Sequence, residues 1–551
     1  MADYTAHADT FARDHLPPRE QWPEFRFTLP ELRYPARLNC ATELLDKTVA
    51  SGAGERTVFV TPNETWTYRR LLETANRIAH VLTRDFGLVP GNRVLIRSAN
   101  NPMTAACWFG IVKAGGIAVT TMPLLRAKEL AVILEKAQIR LALCDERLGE
   151  EMERARAAAN VCERICHFDG SGRPGAASEL ETRLAHKPTR FDDVVTSRDD
   201  VVIIAFTSGT TGEPKGTVHF HRDIMAICDC FPRSVLKPES GDLFIGSPPI
   251  GFTFGLGGLV AFPMRVGAAS VLLEAAPPDR LVEAIQEFKP TICFTVPAAY
   301  RRMADHAESF DLSSLEKCVS AGETLPLPTF EAWQACTGIK IIDGIGSTEM
   351  LHIFISAPPD RIRPGATGLA LPGYEARVVD DDLQPLPPGE VGHLAVRGPT
   401  GCRYLADERQ REYVRGGWNI TGDAYKVDED GYFWYQARTD DMIISSGYNI
   451  AGPEVEEALL AHDAVAECAV VAAPDADRGT IVKAFVVLRE GAAGSDALRK
   501  ELQDFVKTTI AAYKYPRAVE FLDALPRTET GKVQRFRLRQ QEGALGSGRT
   551  A

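Results

Sequence analysis

No stretch of this chain approaches the run of roughly 20 apolar residues that a membrane-spanning helix needs. The opening residues, Met1 to Thr5, offer neither a basic region nor an apolar one, so no secretory signal is expected and the chain reads as cytoplasmic. The sequon Asn63-Glu-Thr65 is then a chance match. There is no basic surplus: 62 Lys and Arg against 74 Asp and Glu leave a formal net charge of −12. That argues against nucleic acid as the main partner, because phosphate backbones are held by basic surfaces, and leaves room only for a local basic patch facing an anionic cofactor. The 12 cysteines include no C-x-x-C pair; the nearest spacings are Cys228/Cys230 and Cys162/Cys166. Scattered in a chain this long, they read as buried or free thiols in a reducing compartment. No internal repeat is visible.

What is present is a soluble-protein composition, 45% hydrophobic and 25% charged, spread over 551 residues. That length exceeds one compact core and predicts two or more domains. The stretch from Thr207 to Gly216, Thr-Ser-Gly-Thr-Thr-Gly-Glu-Pro-Lys-Gly, contains no large apolar side chain. It follows Val201 to Phe206, an apolar β-branched run that reads as a buried strand. A loop of Gly and hydroxyl residues after a strand turns unpaired N–H groups outward and makes a concave anion site, and Lys215 adds a charge that reaches a terminal phosphate. The spacing is not that of a Walker loop, since Pro214 stands five residues after Gly209, where Gly is required. The bland alternative is a solvated flexible loop.

Periodicity places the rest. A helix is predicted over Thr67 to His80 with Thr67 as its cap, and another over Asn101 to Lys113. Strands are predicted at Arg93–Arg97, into Thr121, and at Ile139–Cys144, with a helix over Ala127–Ala137 between the last two. The alternation argues for an α/β fold with a parallel or mixed sheet. The formal G-x-G-x-x-G at Gly170–Gly175 does not open a strand-to-helix unit and reads as a surface loop. A helix follows from about His221 to Phe231. Ser247 to Gly258 sets aromatics between glycines, which fits either the wall of a flat apolar pocket or a tightly packed core turn. Strands at Ile292–Val296, Cys318–Ser320 and Ile339–Asp343 lead on, the last two ending in polar, Gly-bearing loops, Ala321–Pro326 and Gly344–Glu349. Ligands in open α/β sheets sit beyond the carboxyl ends of strands. From about residue 365 the texture becomes all-β. The last hundred residues read as a small α+β unit, with a helix started by Pro453, strands at Val465–Ala473, Val482–Leu488 and Val519–Leu522, and a helix over Asp496–Thr509. The domain boundary falls at about 440, giving 1–439 and 440–551, and the tail from Gly543 reads as disordered.

The Thr207–Gly216 loop resembles the signature of the adenylate-forming superfamily, which includes acyl- and aryl-CoA ligases, peptide-synthetase adenylation domains and beetle luciferases. The similarity runs from about residue 30 to 540, with the motifs in the family's order. It implies a large α/β N-terminal domain with a β-rich subdomain that binds ATP and the acid, and a small mobile α+β C-terminal domain turning near Asp440. It implies further that Thr207, Ser208, Gly209, Thr210, Thr211 and Lys215 hold the triphosphate. Gly322, Glu323 and Asp343 would lie along the adenine, Thr348 would contact the α-phosphate, and Glu349 would hold Mg²⁺. Asp423 and Arg438 would take the ribose, Lys532 would bridge the carboxylate and the α-phosphate, and Gly447 would line the tunnel for coenzyme A. Taken singly, Asp423 is also readable as a turn residue and Lys532 as a solvated tail lysine. The family commonly stacks an aromatic residue on adenine where this chain has Ile345.

The run from Asp343 to Phe354 most resembles aryl-CoA ligases that act on benzoate and its ring-substituted relatives, and Arg33–Cys40 and Phe252–Gly258 agree. The resemblance implies an ATP-dependent ligase that activates benzoate or 2-aminobenzoate through an aryl-AMP intermediate to the CoA thioester, as monomer or homodimer. The acid's slot would be formed by Phe252, Phe254, Ala321, Ile345 and His352, although His352 is equally readable as a buried core histidine. Loading of a carrier protein is the alternative. A luciferase-type oxidoreductase and a non-catalytic nucleotide-binding regulator are more distant ones.

Overall fold

The structure is a computed structural model and describes residues 4–173, 175, 178–207, 214–445, 448–475, 479–527 and 533–547. Two sheets carry the larger part. One has six strands in the order Arg164–Phe168, Leu141–Asp145, Arg93–Arg97, Ile117–Thr121, Val201–Thr207, Lys215–Phe220. Its first five strands are parallel, and the last returns antiparallel. The other has nine strands around a parallel centre of Ala269–Val271, Leu243–Gly246, Ile292–Thr295, Lys317–Ala321 and Ile341–Gly346, with antiparallel strands at both edges.

Local chemistry explains the helices that cover these sheets. Asn101 accepts from Thr104 N at 2.9 Å and Pro102 occupies the first turn, so Pro102–Lys113 starts where the sequence predicts. Every residue of that helix is buried, as expected of a helix apolar on all sides. Thr67 caps Tyr68–His80 through Arg70 N at 3.2 Å. At the end of the buried helix, Lys113 Nζ lies 2.6 Å from Asp46 and 2.7 Å from Asp193, pinning the N-terminal segment and the approach to the Val201 strand to one ammonium.

An antiparallel five-stranded sheet follows, Glu375–Val379, Gly392–Arg397, Val414–Arg415, Trp418–Val427 and Phe433–Arg438, which agrees with the all-β texture read from about 365. The last hundred residues make their own three-stranded sheet, Val465–Asp475, Gly479–Leu488 and Ala518–Phe521, with helices Gly452–Leu460 and Asp496–Thr509. Its apolar cluster, which includes Val455, Leu459, Val470, Val486 and Leu502, is separate from the main core. Arg301, on the helix Pro297–Ala304, joins the two parts by donating to Leu460 O at 3.4 Å and Val465 O at 3.2 Å. Eleven of the twelve cysteines are buried, and Cys336, on the helix Leu327–Thr337, is exposed.

Three expectations change. The strand expected to end at Asp343 runs on to Gly346, because Gly344 and Gly346 pair with Ser356 and Ile353 of an unforeseen neighbour, Ile353–Ser356. The chain after Pro214 returns as the strand Lys215–Phe220, drawn by pairing with Val201–Thr207. The tail read as disordered from Gly543 is instead entered by a helix, Arg535–Ser547, which is tied down by Arg535 on Glu456 at 2.8 Å, Arg539 on Asp441 and the buried Leu538.

Replacing Lys113 by Met should leave Asp46 and Asp193 facing each other without their counter-charge. Breaking such a pair costs on the order of 3 kcal/mol, with the lower side of that range expected here because both carboxylates keep some water. A drop of several degrees in melting temperature is the expected result, and an unchanged melting temperature would contradict it.

Candidate active site

The carboxyl ends of strands from both sheets open into one cleft of about 3140 Å³, which the β-rich subdomain and the last hundred residues complete. Thr207, Lys215, Thr348 and Glu349 line one region of its wall, and Gly322, Glu323, Asp343, Asp423 and Arg438 another. Phe252, Phe254, Ala321, Ile345 and His352 line it too, so these fourteen candidates meet at one place. Ser208, Gly209, Thr210, Thr211, Gly447 and Lys532 lie outside the described residues. Asp440 lies in the short turn Thr439–Asp441.

At the phosphate end, the two strands flanking the loop bring Thr207 and Lys215 opposite each other. Thr207 Oγ1 is buried with no hydrogen-bond partner among the described residues, which leaves it aimed for an added acceptor. Lys136 holds the loop's far side, donating to Pro214 O at 3.2 Å and to Asp407 at 2.6 Å. The carbonyl of Thr348 accepts from His219 Nε2 at 2.8 Å. Glu349 is 8% exposed, accepts from the Tyr404 hydroxyl at 2.5 Å, and lies 3.9 Å from Lys215 Nζ. Among the described residues no group of three or more His, Cys, Asp and Glu side chains is placed to cage a metal. Glu349 therefore suits a magnesium ion that takes one carboxylate here and its other ligands from phosphate and water, the usual way this ion is held.

At the nucleoside end, Asp423 and Arg438 face each other across paired strands at 3.1 Å, and Arg438 also donates to Thr421 O at 2.9 Å. Gly422 has φ of +75°, and a side chain there would meet the Arg438 guanidinium, so the turn before Asp423 needs glycine. Burial pushes the Asp343 carboxyl up to about 8, opposed only by the Gly344 backbone, and its Oδ1 has no partner among the described residues.

The wall around His352 is aromatic. His352 is 2% exposed, with ring centroids of Phe262 at 4.4 Å, Phe254 at 5.6 Å and Phe231 at 6.0 Å around it. Neither ring nitrogen has a hydrogen-bond partner that meets the usual geometry among the described residues, although the Phe254 backbone lies beside the ring. A Cβ at Gly257 would stand 2.3 Å from the His352 ring, so that glycine is what lets the imidazole reach the slot. The Ser247–Gly258 stretch is thus both alternatives at once: Phe252 and Phe254 wall the cleft while its glycines allow tight packing.

From the smaller unit, Leu525, Arg527, Val533 and Gln534 reach the same cleft. Arg527 and Val533 form an isolated bridge, and Gln534 N donates to Pro526 O at 2.8 Å. Arg527 lies 3.9 Å from Glu323 and 2.7 Å from Glu467. Sequence reasoning passed over Tyr404, His219, Lys136 and Arg527. Only Arg527 had a signal, its place five residues before Lys532.

The AMP-binding enzyme family matches residues 46–404, and the AMP-binding enzyme C-terminal domain matches residues 454–532. A benzoate–CoA ligase of Thauera aromatica is 35% identical, over 93% of this chain and 98% of its own length. Among solved structures, the anthranilate CoA ligase AuaEII in complex with anthranoyl-AMP superposes with a TM-score of 0.89 at 35% identity, covering 94% of this chain and all of that one. A benzoate CoA ligase from Burkholderia xenovorans LB400 superposes with a TM-score of 0.83 at 32% identity, over 91% of this chain and all of that one.

Burial lowers the His352 imidazole from 6.5 to about 3. The unfolded chain then takes up a proton below 6.5 that the folded chain refuses, so this residue's effect is to remove stability as pH falls from 6.5 toward 3 and to be neutral above 6.5. His352→Phe should therefore lose less melting temperature than wild type between about pH 7.5 and about pH 5. Equal losses would contradict the neutral, buried imidazole.

Proposed function

The chain belongs to the AMP-binding enzyme family, and from that premise we propose that it is an ATP-dependent aryl-CoA ligase acting on benzoate or 2-aminobenzoate. The observation that carries the reading is the aromatic slot around His352 opening onto the same cleft as Lys215, Glu349, Asp423 and Arg438. A flat ring fits between Phe252, Phe254 and Ile345, and its carboxylate then points toward Thr348. The relatives named as benzoate and anthranilate CoA ligases support this choice of acid.

The acid's carboxylate oxygen attacks the α-phosphorus of ATP, the bond to the bridging oxygen breaks, and pyrophosphate leaves. The protein's part is to position and to neutralise charge. The loop Thr207–Lys215 holds the triphosphate, Thr348 the α-phosphate, and Asp423 with Arg438 the ribose. Gly322, Glu323 and Asp343 line the adenine, against which Ile345 packs in place of an aromatic ring. A magnesium ion on Glu349 supplies charge neutralisation to the phosphates. Lys532 meets the charge that develops between carboxylate and α-phosphate. The unit 440–551 then turns at Asp440 against 1–439, carries Lys532 away and brings Gly447 to the thiol's path. The thiolate of coenzyme A attacks the acyl carbon, the bond from that carbon to the phosphate oxygen breaks, and AMP leaves. The enzyme works in the cytoplasm, as monomer or homodimer.

Lys532→Ala should slow adenylate formation by orders of magnitude and leave the reaction of synthetic benzoyl-adenylate with coenzyme A nearly intact, measured as separate half-reactions. Equal loss in both would overturn the two-orientation scheme. In a pyrophosphate-release screen, benzoates should exceed medium-chain saturated fatty acids in kcat/KM, and the reverse order would remove the aryl assignment. A carrier protein that outcompetes coenzyme A as acceptor would replace the thioester product.

A further inference from the structure

Lys215 and Glu349 carry opposite charges 3.9 Å apart, within reach of direct pairing. If they paired closely, neither would be available to phosphate or metal. One residue touches both. The Tyr404 hydroxyl donates to Glu349 Oε1 at 2.5 Å, and its ring lies under Lys215 Nζ, 4.8 Å from the centroid. Tyr404 is fully buried.

Its backbone is fixed as firmly. Residues 403–405 lie along the strand that leaves the phosphate loop: Thr217 bridges Tyr404, Leu405 N donates to Gly216 O at 2.8 Å, and Val218 N to Arg403 O at 2.8 Å. Tyr404 N is taken by Gln410 at 2.9 Å. A ring anchored this way keeps its place when the nucleotide leaves, unlike the two longer side chains it touches.

We propose that Tyr404 is a positioning residue that holds Glu349 in its metal-binding orientation and keeps it from collapsing onto Lys215 between turnovers. This rests on the assignment of Glu349 to the magnesium of bound ATP. The hydroxyl does the holding, because a hydrogen bond to a carboxylate is directional. The ring does the spacing, because it draws the ammonium to its face.

The test is equilibrium binding of a non-hydrolysable ATP analogue to the full-length enzyme, with Mg²⁺ and with chelator, for wild type, Tyr404→Phe and Glu349→Gln. The quantity read is the gain in affinity that Mg²⁺ brings. Removing the partner of a liganding carboxylate commonly costs about tenfold or more in metal affinity, so Tyr404→Phe should cut that gain by about tenfold. Its affinity in chelator, which reads Lys215 on phosphate, should fall by less than that factor, and its nucleotide-free melting temperature should stay near that of wild type. A merely structural tyrosine would lower the melting temperature and both affinities together. An unchanged Mg²⁺-dependent gain in Tyr404→Phe, with Glu349→Gln impaired, overturns the proposal and leaves the metal assignment standing. An unimpaired Glu349→Gln overturns the metal assignment itself. Should Tyr404→Phe fold poorly, a crystal structure of the nucleotide-free wild type decides: a Tyr404–Glu349 hydrogen bond supports the proposal, and a direct Lys215–Glu349 pair overturns it.

Discussion

One ion pair with no access to water, Arg403 to Asp223, sets the geometry on which the cleft depends. Burial pushes the Asp223 carboxyl up, but Arg403, His219 and Arg222 more than offset that and leave it at about 2. Two such groups are tolerated without water because each is the other's counter-charge, even though Arg403 Nη1 and Asp223 Oδ1 have no hydrogen-bond partner among the described residues. Arg403 also lies over the Phe220 ring at 4.0 Å and donates to Val218 O. The pair thereby fastens the crossover from the β-rich subdomain to the strand that exits the phosphate loop. Tyr404, next in sequence, inherits that rigidity. Two elements far apart in the chain thus behave as one wall.

Seen from that wall, the cleft divides by polarity. Toward Thr207 and Glu349 it offers hydroxyl, ammonium and carboxylate. Toward His352 it offers rings and a neutral imidazole with no bonds made. A ligand with a charged tail and a flat apolar head satisfies both at once, while one lacking either end leaves desolvated groups unmatched. The β-rich subdomain supplies Asp423 and Arg438 on adjacent antiparallel strands, where cross-strand pairing fixes their separation better than a loop does.

Much of this was legible in the chain. Thr67 and Asn101 declare their helices because capping is a local signal. The strands before Thr207, Gly322 and Gly344 declare themselves by apolar β-branched runs, and the polar loops after them mark the ligand side. The helix Asp496–Thr509 falls where periodicity puts it. What stayed hidden depends on distant partners. Tyr404 sits in a stretch with no periodicity, and its importance comes from what the sheet brings beneath Lys215. His219 lies in a stretch that the sequence does not mark as a strand, and it matters only once Thr348 is beside it. The helix Arg535–Ser547 went unread, and its end was taken with the tail from Gly543, because the partners that tie it down, Glu456 and Asp441, lie far earlier. Gly257 shows the same limit, since only the approach of His352 reveals why it bears no side chain.

The cysteine distribution has a practical corollary. Every thiol but Cys336 is shielded, so the unmodified chain already offers a single handle for a thiol-reactive dye. Cys336 rides on the helix Leu327–Thr337, which packs against Gly452–Leu460 of the smaller unit. A fluorophore there would ride on a helix that touches the smaller unit, giving an optical test of the rotation proposed above without an engineered residue.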